Sequence, residues 1–268
     1  MSTTYFKFKK FIIQQDRCAM KVCTDACLFG AWTAERVGSR ESGVGRLPVV
    51  GVFTNHQPGD IIEGTVSGQS SMHTVLDIGS GTGLLALMLA QKKAAMIDTI
   101  EIDADAYRQA AGNVSASPWS SRIRVIHADV KSQRFPAKYN LIISNPPFFE
   151  SQLRSPVPVT NTARHDTGLR WEELISVVGE NLRADGLFAV LLPYSRSDHF
   201  ITLAGSAGLH LHTAVYVKQS SAHSFFRTML FFEKQPCFTI EYEELVIKED
   251  GRYSQQFTSL LKDYYLNL

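Results

Sequence analysis

Short apolar runs alternate with segments of helical periodicity between residues 74 and 233. The runs predict strands at 74–79, 96–101, 123–127, 139–144, 187–193, 209–217 and 225–233. The segments between them predict helices at 84–92, 104–113, 169–182 and 196–207. Strands that alternate with helices favour an α/β fold, a mostly parallel sheet of seven strands with helices on both faces. Because no helix separates the last two runs, we expect them to form an antiparallel pair at one edge.

The remaining segments suggest how the chain is organised. Residues 38–71 are rich in glycine and serine and show little periodicity, so we predict a flexible insertion. Apolar residues lie on one side of an amphipathic helix predicted at 254–266. We expect one domain over residues 1–268. Its parts are an N-terminal segment (1–37) that caps the substrate or cofactor, the insertion (38–71), a core (72–235) and a C-terminal extension (236–268).

Composition and charge narrow the class of protein. Hydrophobic residues make up 44% of the 268 positions and the net charge is +1, as in a globular protein and unlike a strongly basic nucleic-acid coat protein. No apolar run approaches the roughly 20 residues that span a bilayer, and the first residues lack the pattern of a signal peptide. We therefore expect a cytoplasmic protein with no membrane partner, and a monomer.

Three of the four cysteines are close in sequence. Cys18, Cys23 and Cys27 are spaced by four and three residues, which matches no zinc motif, and no fourth ligand is nearby. We therefore predict reduced thiols and no metal site.

Polar residues follow the first three strands of the predicted core. The turn Asp77-Ile-Gly-Ser-Gly-Thr-Gly83 places glycines at 79, 81 and 83, where a backbone can turn tightly and a ligand can approach closely. Glu101 ends the next strand and can accept hydrogen bonds from ribose hydroxyls, although Asp103 nearby can do so or cap the following helix. Asp129 follows the third strand, where it can accept from an adenine amino group or serve as a helix cap.

The fourth strand ends in Asn145-Pro-Pro-Phe148. Its prolines end the strand and leave an amide displayed at the rim of the sheet. The Asn145 side-chain carbonyl and the Pro146 backbone carbonyl can accept the two N–H groups of an exocyclic amine, while the ring at 148 stacks on a planar substrate. We predict that Asn145, Pro146, Pro147 and Phe148 are catalytic; the alternative is a turn with a core phenylalanine.

These features resemble the Rossmann-like class I methyltransferases. The loop is G-x-G-x-G preceded by Asp77, whereas the nicotinamide fingerprint is G-x-G-x-x-G. The resemblance implies S-adenosyl-L-methionine as cofactor. Asp77 and the glycines lie along its methionine moiety, Glu101 at the ribose, Asp129 at the adenine and Asn145 near the methyl group. The residues 145–148 match the [DNS]-P-P-[YFW] signature for planar amino or amide nitrogens.

A second resemblance narrows the substrate. Residues 6–13, 16–26 and 28–32 are similar to the patterns F-x-F-K-x-F-x-I, D-x-C-A-M-K-V-G-T-D-G and L-L-G-A-W of the bacterial tRNA1(Val) adenosine-37 N6-methyltransferases. Cys23 and Ala26 replace family glycines, which indicates that neither position needs a positive φ. The resemblance implies a tRNA substrate. A release-factor-type glutamine methyltransferase, a guanine-N2 RNA methyltransferase and a non-catalytic RNA-binding scaffold remain as alternatives.

Basic residues in the N-terminal segment alternate with aromatic ones, as in RNA-binding surfaces. The alternative is a solvated arm whose apolar residues dock on the core. The predicted substrate-binding residues are Lys7, Lys9, Lys10, Arg17, Lys21 and Arg164. A second basic surface is predicted from Arg122, Arg124, Lys131, Arg134 and Lys138.

Overall fold

The computed structural model of the protein describes residues 4–18, 20–41, 73–147 and 168–268. The strands are β1 (Tyr5–Lys7), β2 (Ile12–Gln14), β3 (Thr74–Ile78), β4 (Met96–Glu101), β5 (Ile123–His127), β6 (Tyr139–Ser144), β7 (Leu182–Pro193), β8 (His210–Ser220), β9 (Phe225–Glu233), β10 (Glu241–Glu249) and β11 (Arg252–Tyr253). The α-helices are α1 (Thr24–Glu41), α2 (Leu84–Lys92), α3 (Ala104–Ser115), α4 (Trp171–Asn181), α5 (Ser197–Ser206) and α6 (Gln255–Leu261).

One sheet of nine strands, in the order β11-β10-β8-β9-β7-β6-β3-β4-β5, forms the centre of the described structure. The five strands from β7 to β5 are parallel, and β9 is antiparallel to both β7 and β8. The predicted α/β class, the seven predicted strands and their antiparallel pair are confirmed. The pair does not lie at the edge, however, because β10 pairs in parallel with β8 and β11 follows it.

Alternate residues of the central strands supply two apolar layers. In β7, Leu187, Ala189 and Leu191 pack in the layer with α1, α2 and α6, while Phe188 and Val190 pack in the layer with α4 and α5. Because successive strand residues point to opposite faces, these layers cover the two sides of the sheet. The predicted placement of helices on both faces is confirmed.

The boundary between α4 and β7 differs from its prediction. The helix ends at Asn181 and the strand begins at Leu182, five residues before the predicted start. Gly186 therefore lies inside the strand and does not end a helix. A Cβ there would lie 3.0 Å from the Tyr139 carbonyl oxygen, beside a shift in the β6–β7 register, so the glycine permits close approach at a bulge.

The N-terminal segment forms a hairpin and a buried helix. Phe8 and Phe11 are buried and their ring centroids are 4.4 Å apart, so these aromatics pack in the core and are closed to a base. The helix α1 packs against α2 and α6, and residues 26–34 are all buried. It continues to Glu41, so the first four residues of the predicted insertion are helical, while 42–71 lie outside the described residues.

Candidate active site at the carboxyl ends of the strands

The strand register brings the predicted site residues to one edge of the sheet. Ile78 of β3 pairs with Ser144 of β6 on one side and with Ile100 of β4 on the other. The residues that follow these positions are Gly79, Asn145 and Glu101, so they lie at the same level across three neighbouring strands. This is the edge at which open α/β sheets bind ligands.

The glycine loop leaves β3 in a conformation that suits glycine. Gly79, Gly81 and Gly83 have φ values of 79°, 52° and 80°, a region that other residues rarely adopt. The Gly79 N–H donates to the Ile100 carbonyl at 3.0 Å, so the loop begins by folding over the end of β4. A Cβ built on Gly79 or Gly81 would meet no atom within 4 Å, so the described structure leaves space above these two residues.

Glu101 and Asp103 have separate roles. The Glu101 carboxylate accepts hydrogen bonds from the N–H groups of Gly81 (2.9 Å), Ile102 (2.9 Å) and Asp103 (3.0 Å). The Asp103 side chain accepts from the N–H groups of Asp105 and Ala106, the first turn of α3. Asp103 is therefore the helix cap, and Glu101 is the carboxylate held against the glycine loop.

Asp77 lies beneath the loop and is fully buried. Its Oδ2 accepts from the Thr99 hydroxyl at 3.0 Å, and its Oδ1 has no hydrogen-bond partner among the described residues. Burial raises the pKa of Asp77 to about 7, against the Thr99 hydrogen bond that lowers it, and nearby Glu101 raises it as well. This carboxyl group therefore changes its charge near neutral pH.

Asn145 is held at the end of β6 by its neighbours. The Ser144 hydroxyl donates to the Ile78 carbonyl at 2.9 Å, and Pro146 is buried while Pro147 is exposed. The Asn145 Oδ1 is itself buried and has no hydrogen-bond partner in the described part of the chain. A buried acceptor without a donor is costly, so this amide oxygen is available for a ligand N–H. Phe148 lies outside the described residues.

Asp129 combines a turn with an ion pair. Its Oδ1 accepts the N–H of Lys131 at 2.9 Å, and its Oδ2 is 3.8 Å from the Lys131 ammonium. The Lys131 ammonium also donates to Glu173 at 3.3 Å. Asp129 therefore stabilises the turn after β5, and it caps no helix, because none lies between β5 and β6 in the described structure. About a third of its side chain is still exposed, and this part faces solvent at the carboxyl end of β5.

The predicted basic residues are not gathered on one surface. Arg122 donates to the carbonyls of Ala90 and Lys93 and precedes β5, and Arg124 pairs with Asp98. Both lie at the amino end of β5, opposite the candidate site, so neither is placed to contact a ligand bound there.

Lysines of the N-terminal hairpin differ from one another. Lys7 and Lys10 are exposed, whereas the Lys9 ammonium donates to the carbonyl of Lys262. Arg17 and Lys21 continue the same segment toward the site. Arg164 lies outside the described residues.

Relatives and a family model match the chain. The model for the methyltransferase small domain matches residues 63–167. A tRNA1(Val) (adenine(37)-N6)-methyltransferase of Dyadobacter fermentans is 35% identical over 98% of this chain and 97% of its own. One of Bacteroides fragilis is 36% identical over the whole of both. The chain belongs to the tRNA1(Val) (adenine(37)-N6)-methyltransferase family.

A solved structure supports the fold of this methyltransferase. A predicted O-methyltransferase from Agrobacterium tumefaciens superimposes with a TM-score of 0.56 at 16% identity, covering 76% of this chain and 96% of that one. At this identity the likeness shows the fold alone. The predicted family, class I fold and enzyme class are confirmed, and the cofactor of the methyltransferase is S-adenosyl-L-methionine.

The edge of the sheet fits this cofactor on three counts. The buried Asp77 and the half-buried Glu101 provide two carboxylates, which suit a ligand with an ammonium group and two ribose hydroxyls. Open space lies above Gly79 and Gly81. The buried Asn145 Oδ1, which has no donor among the described residues, lies at the same edge.

Three buried or half-buried thiols of the methyltransferase, those of Cys18, Cys23 and Cys27, stay protonated at neutral pH. Burial raises the pKa of Cys18, Cys23 and Cys27 to about 12 in each case, and carboxylates nearby contribute. Within the described ranges, no group of three His, Cys, Asp or Glu side chains is placed to hold a metal ion. None of the described helices is both long and apolar enough to cross a membrane. Neither Cys23 nor Ala26 has a positive φ, as their side chains predict.

The structure adds two groups of residues that the sequence analysis missed. Gln109 and Asn113 are buried amides on α3. The sequence did hold a sign of them: the two amides are four residues apart, on a helix face whose other buried residues are alanine and valine. Tyr194, Tyr216 and Phe225 form an aromatic cluster at the carboxyl ends of β7 and β8, with ring centroids 5.1–5.5 Å apart. Tyr216 and Phe225 lie on the β8–β9 hairpin, and the fold brings Tyr194 to them.

Proposed function

We propose that this chain methylates N6 of adenosine 37 in tRNA1(Val), the reaction that its relatives are named for. The single observation that carries the proposal is the Asn145 Oδ1, a buried acceptor with no donor among the described residues, at the end of β6 beside the glycine loop. An amine bearing N–H groups supplies the missing donor.

The amine needs help because its lone pair is delocalised into the purine ring. The Asn145 oxygen accepts one N–H and the Pro146 carbonyl accepts the other, so that the nitrogen keeps one orientation. Both oxygens also favour the positive charge that develops on nitrogen as it is alkylated. Pro146 and Pro147 fix the backbone that carries these acceptors. Positioning supplies much of the rate. The bond from the methyl carbon to sulfur would break as the bond to nitrogen forms, and the alkylated nitrogen would then lose its extra proton to solvent, so neither a metal nor a titrating side chain is required.

S-adenosyl-L-methionine, when bound, supplies an electrophilic methyl group on a sulfonium. Four parts of this chain would hold it. Asp77 would accept from the ammonium of the methionine end, and the glycine loop would shape the space around that end. Glu101 would accept hydrogen bonds from the ribose hydroxyls, and Asp129 would accept one from the adenine amino group. In this assignment Glu101 accepts from the ribose in addition to the three backbone N–H groups, of Gly81, Ile102 and Asp103, that it already receives.

The adenine ring of the substrate requires a planar partner. We assign this to Phe148, which follows Pro147 and would stack on the ring for roughly 1–3 kcal/mol. Residue 37 of a tRNA lies in the anticodon loop, where an unpaired base can be turned out of its stack at lower cost than in a duplex. Tyr194 and Phe225 lie on the same edge of the sheet and provide aromatic surface for neighbouring nucleotides.

The N-terminal hairpin provides the phosphate contacts in this proposal. Lys7 and Lys10 are exposed and can neutralise phosphates. Arg17 and Lys21 would add contacts closer to the site. Arg164, which lies outside the described residues, is included in the proposal from the sequence alone. We further place the enzyme in the cytoplasm, where tRNA is modified, and as a monomer. Light scattering on the purified protein tests the latter.

The experiment uses two transcripts of tRNA1(Val), one natural and one with guanosine in place of adenosine 37. After incubation with enzyme and S-adenosyl-L-methionine, digestion and mass spectrometry should give N6-methyladenosine from the first transcript alone. Methylguanosine from either transcript would support the guanine-N2 alternative. Methylation of a release factor without methylation of tRNA would support the glutamine alternative.

A further inference from the structure

One buried amide joins the N-terminal hairpin to the glycine loop. Asn113 is 2% exposed in the last turn of α3. Its Oδ1 accepts the N–H of Gln14 at 2.8 Å, and its Nδ2 donates to the carbonyls of Gln14 and Thr82, both at 2.9 Å. Both hydrogens of the amide are therefore used, one by the hairpin and one by the glycine loop.

Asn113 contacts the hairpin and the glycine loop through backbone groups that no other hydrogen bond among the described residues joins to each other. Gln14 is in β2, where the neighbouring Gln15 N–H pairs with β1 through Thr4, so the two backbone groups of Gln14 point to the outer edge of the hairpin. Asn113 pairs with both of them, as a neighbouring strand would. Thr82 lies between two glycines of the loop, and the loop contacts the same helix at Ala110, which is 3.6 Å from a Cβ built on Gly83.

A second amide holds the hairpin segment alone. Gln109, one turn earlier on α3, accepts the N–H of Arg17 at 2.9 Å, and this hydrogen bond leads to the hairpin segment and not to the loop. Beyond Arg17 the chain passes Cys18, whose pKa Glu101 and Asp103 help to raise, so Cys18 lies close to both.

The same segment is anchored again on the far side of the site. The Arg227 guanidinium of β9 donates to Asp25 at 2.6 Å, and both side chains are largely buried. Residues 14–25, apart from Ala19, which is outside the described residues, therefore extend along the carboxyl edge from α3 to β9. We call them the bridging segment.

We propose that Asn113 is a positioning residue that couples cofactor binding at the glycine loop to the placement of the bridging segment. The coupling follows from one rigid amide: a shift of the Thr82 carbonyl moves the group that also holds both backbone groups of Gln14. Loss of the amide leaves three backbone groups without their partner, in a buried place where each is costly. The proposal rests on the proposed function only in taking S-adenosyl-L-methionine as the ligand of the loop.

Three variants of the full chain separate this role from simple stability. Asn113→Ala removes the link, and Gln109→Ala is the matched control that loosens the segment without touching the loop. Gln14→Pro removes the N–H that donates to the Asn113 Oδ1 and puts the proline ring against that oxygen, so it disrupts the hairpin side of the link and leaves the contact between Asn113 and Thr82. That N–H takes no part in the β1–β2 ladder.

Two readouts apply to each variant: S-adenosyl-L-methionine affinity by calorimetry, and the rate of tryptic cleavage at Arg17 and Lys21 with and without the cofactor. In wild type the cofactor should slow cleavage.

We expect Asn113→Ala to lower affinity for S-adenosyl-L-methionine about tenfold and to abolish the protection from cleavage, with kcat at saturating cofactor within about threefold of wild type. Gln109→Ala should speed cleavage without cofactor, while affinity stays within about twofold and cofactor still protects. Gln14→Pro should lose protection at nearly unchanged affinity.

A lowered melting temperature in Asn113→Ala with affinity and protection intact would overturn the proposal and leave Asn113 a purely structural residue. Lowered affinity with protection intact would overturn the coupling as well. If Asn113→Ala does not fold, Gln14→Pro decides, because protection that survives in it contradicts the proposal. Failure of wild type to bind the cofactor would instead refute the proposed function.

Discussion

Glu101 Oε2 accepts the N–H of Gly81 at 2.9 Å and so ties the end of β4 to the middle of the glycine loop. The second oxygen of the same carboxylate accepts from Ile102 and Asp103, which fixes its direction. A carboxylate held in this way before any ligand arrives is preorganised, so little entropy is lost when the ribose hydroxyls bind.

Replacing Glu101 should therefore affect the cofactor, whereas replacing Asp103 should affect the helix. We expect Glu101→Ala to weaken S-adenosyl-L-methionine binding by about tenfold or more, since both the acceptor and the shape of the loop are lost. Asp103→Ala should cost about 1 kcal/mol of stability through loss of the α3 cap, with affinity within about twofold. Calorimetry and urea unfolding on the pair measure both. If Asp103→Ala lost more affinity for S-adenosyl-L-methionine than Glu101→Ala, Asp103 and not Glu101 would be the acceptor for the ribose.

Burial of Asp77 predicts a dependence of stability on pH. Its pKa is raised to about 7 in the folded protein, above the 3.8 of an ordinary aspartate, so the folded state favours the protonated form. The stability that protonation contributes is complete below about pH 4 and is lost as pH rises through about 7. Asp77→Asn keeps a neutral side chain, so its stability relative to wild type should increase between pH 4 and 7 and then level off. A constant difference in urea unfolding across this range would contradict the raised pKa.

Asn145 should matter for turnover and little for affinity. We expect Asn145→Ala to lower kcat by about 10²–10³, the usual effect of removing one preorganised group that stabilises developing charge. Cofactor affinity should change by no more than a few-fold. Asn145→Asp retains an acceptor oxygen and should keep more activity than the alanine variant. Turnover of Asn145→Ala close to that of wild type would remove this residue from the chemistry.

Asp129 and Lys131 form the pair that tests the adenine contact. Asp129→Ala should weaken cofactor binding, because it removes the acceptor assigned to the adenine amino group. Lys131→Ala removes the cation 3.8 Å from that carboxylate and leaves the acceptor in place, so affinity should stay within about threefold. Equal losses in both variants would show that the turn after β5, and not the carboxylate, supports binding.

The hairpin lysines can be tested by salt dependence. Replacing Lys7, Lys9 and Lys10 by alanine should lower tRNA affinity and flatten the slope of log K against log salt by roughly one unit for each phosphate that is no longer neutralised. Lys9→Ala alone is the control, because its ammonium donates to the Lys262 carbonyl, and it should lower stability without changing the slope. An unchanged slope in the triple variant would make the hairpin structural.

Most of the core could be predicted from the alternation of strands and helices, because each element there buries apolar residues at the regular spacing of a strand or a helix. The bounds of α2, β4, β5, β6 and β9 agree with their predictions. The helix α1 was not predicted because it is buried on every side over residues 26–34, so it has no polar face to give it a period. The strand β10 was not predicted because only Leu245 and Ile247 are buried in a run otherwise made largely of charged residues.

The candidate site was predictable where its residues follow strands. Asp77, Glu101 and Asn145 lie at the ends of strands. Neighbouring parallel strands end at the same edge of a sheet, regardless of the conformation of the loops between them. Asn113 was not predictable in the same way, since its partners Gln14 and Thr82 are 99 and 31 residues away and meet it only through the packing of a hairpin on a helix. Sequence periodicity carries no information on such contacts.

The hairpin also contacts the other end of the described chain. The Lys9 N–H donates to the Tyr264 carbonyl at 2.8 Å, and the rings of Phe8 and Tyr265 pack with centroids 6.0 Å apart. These contacts can form only after residue 264 has left the ribosome, because a nascent chain lacks their partners. We therefore expect a ribosome-bound chain to leave the hairpin unanchored at Phe8 and Lys9 until residues 264 and 265 have emerged.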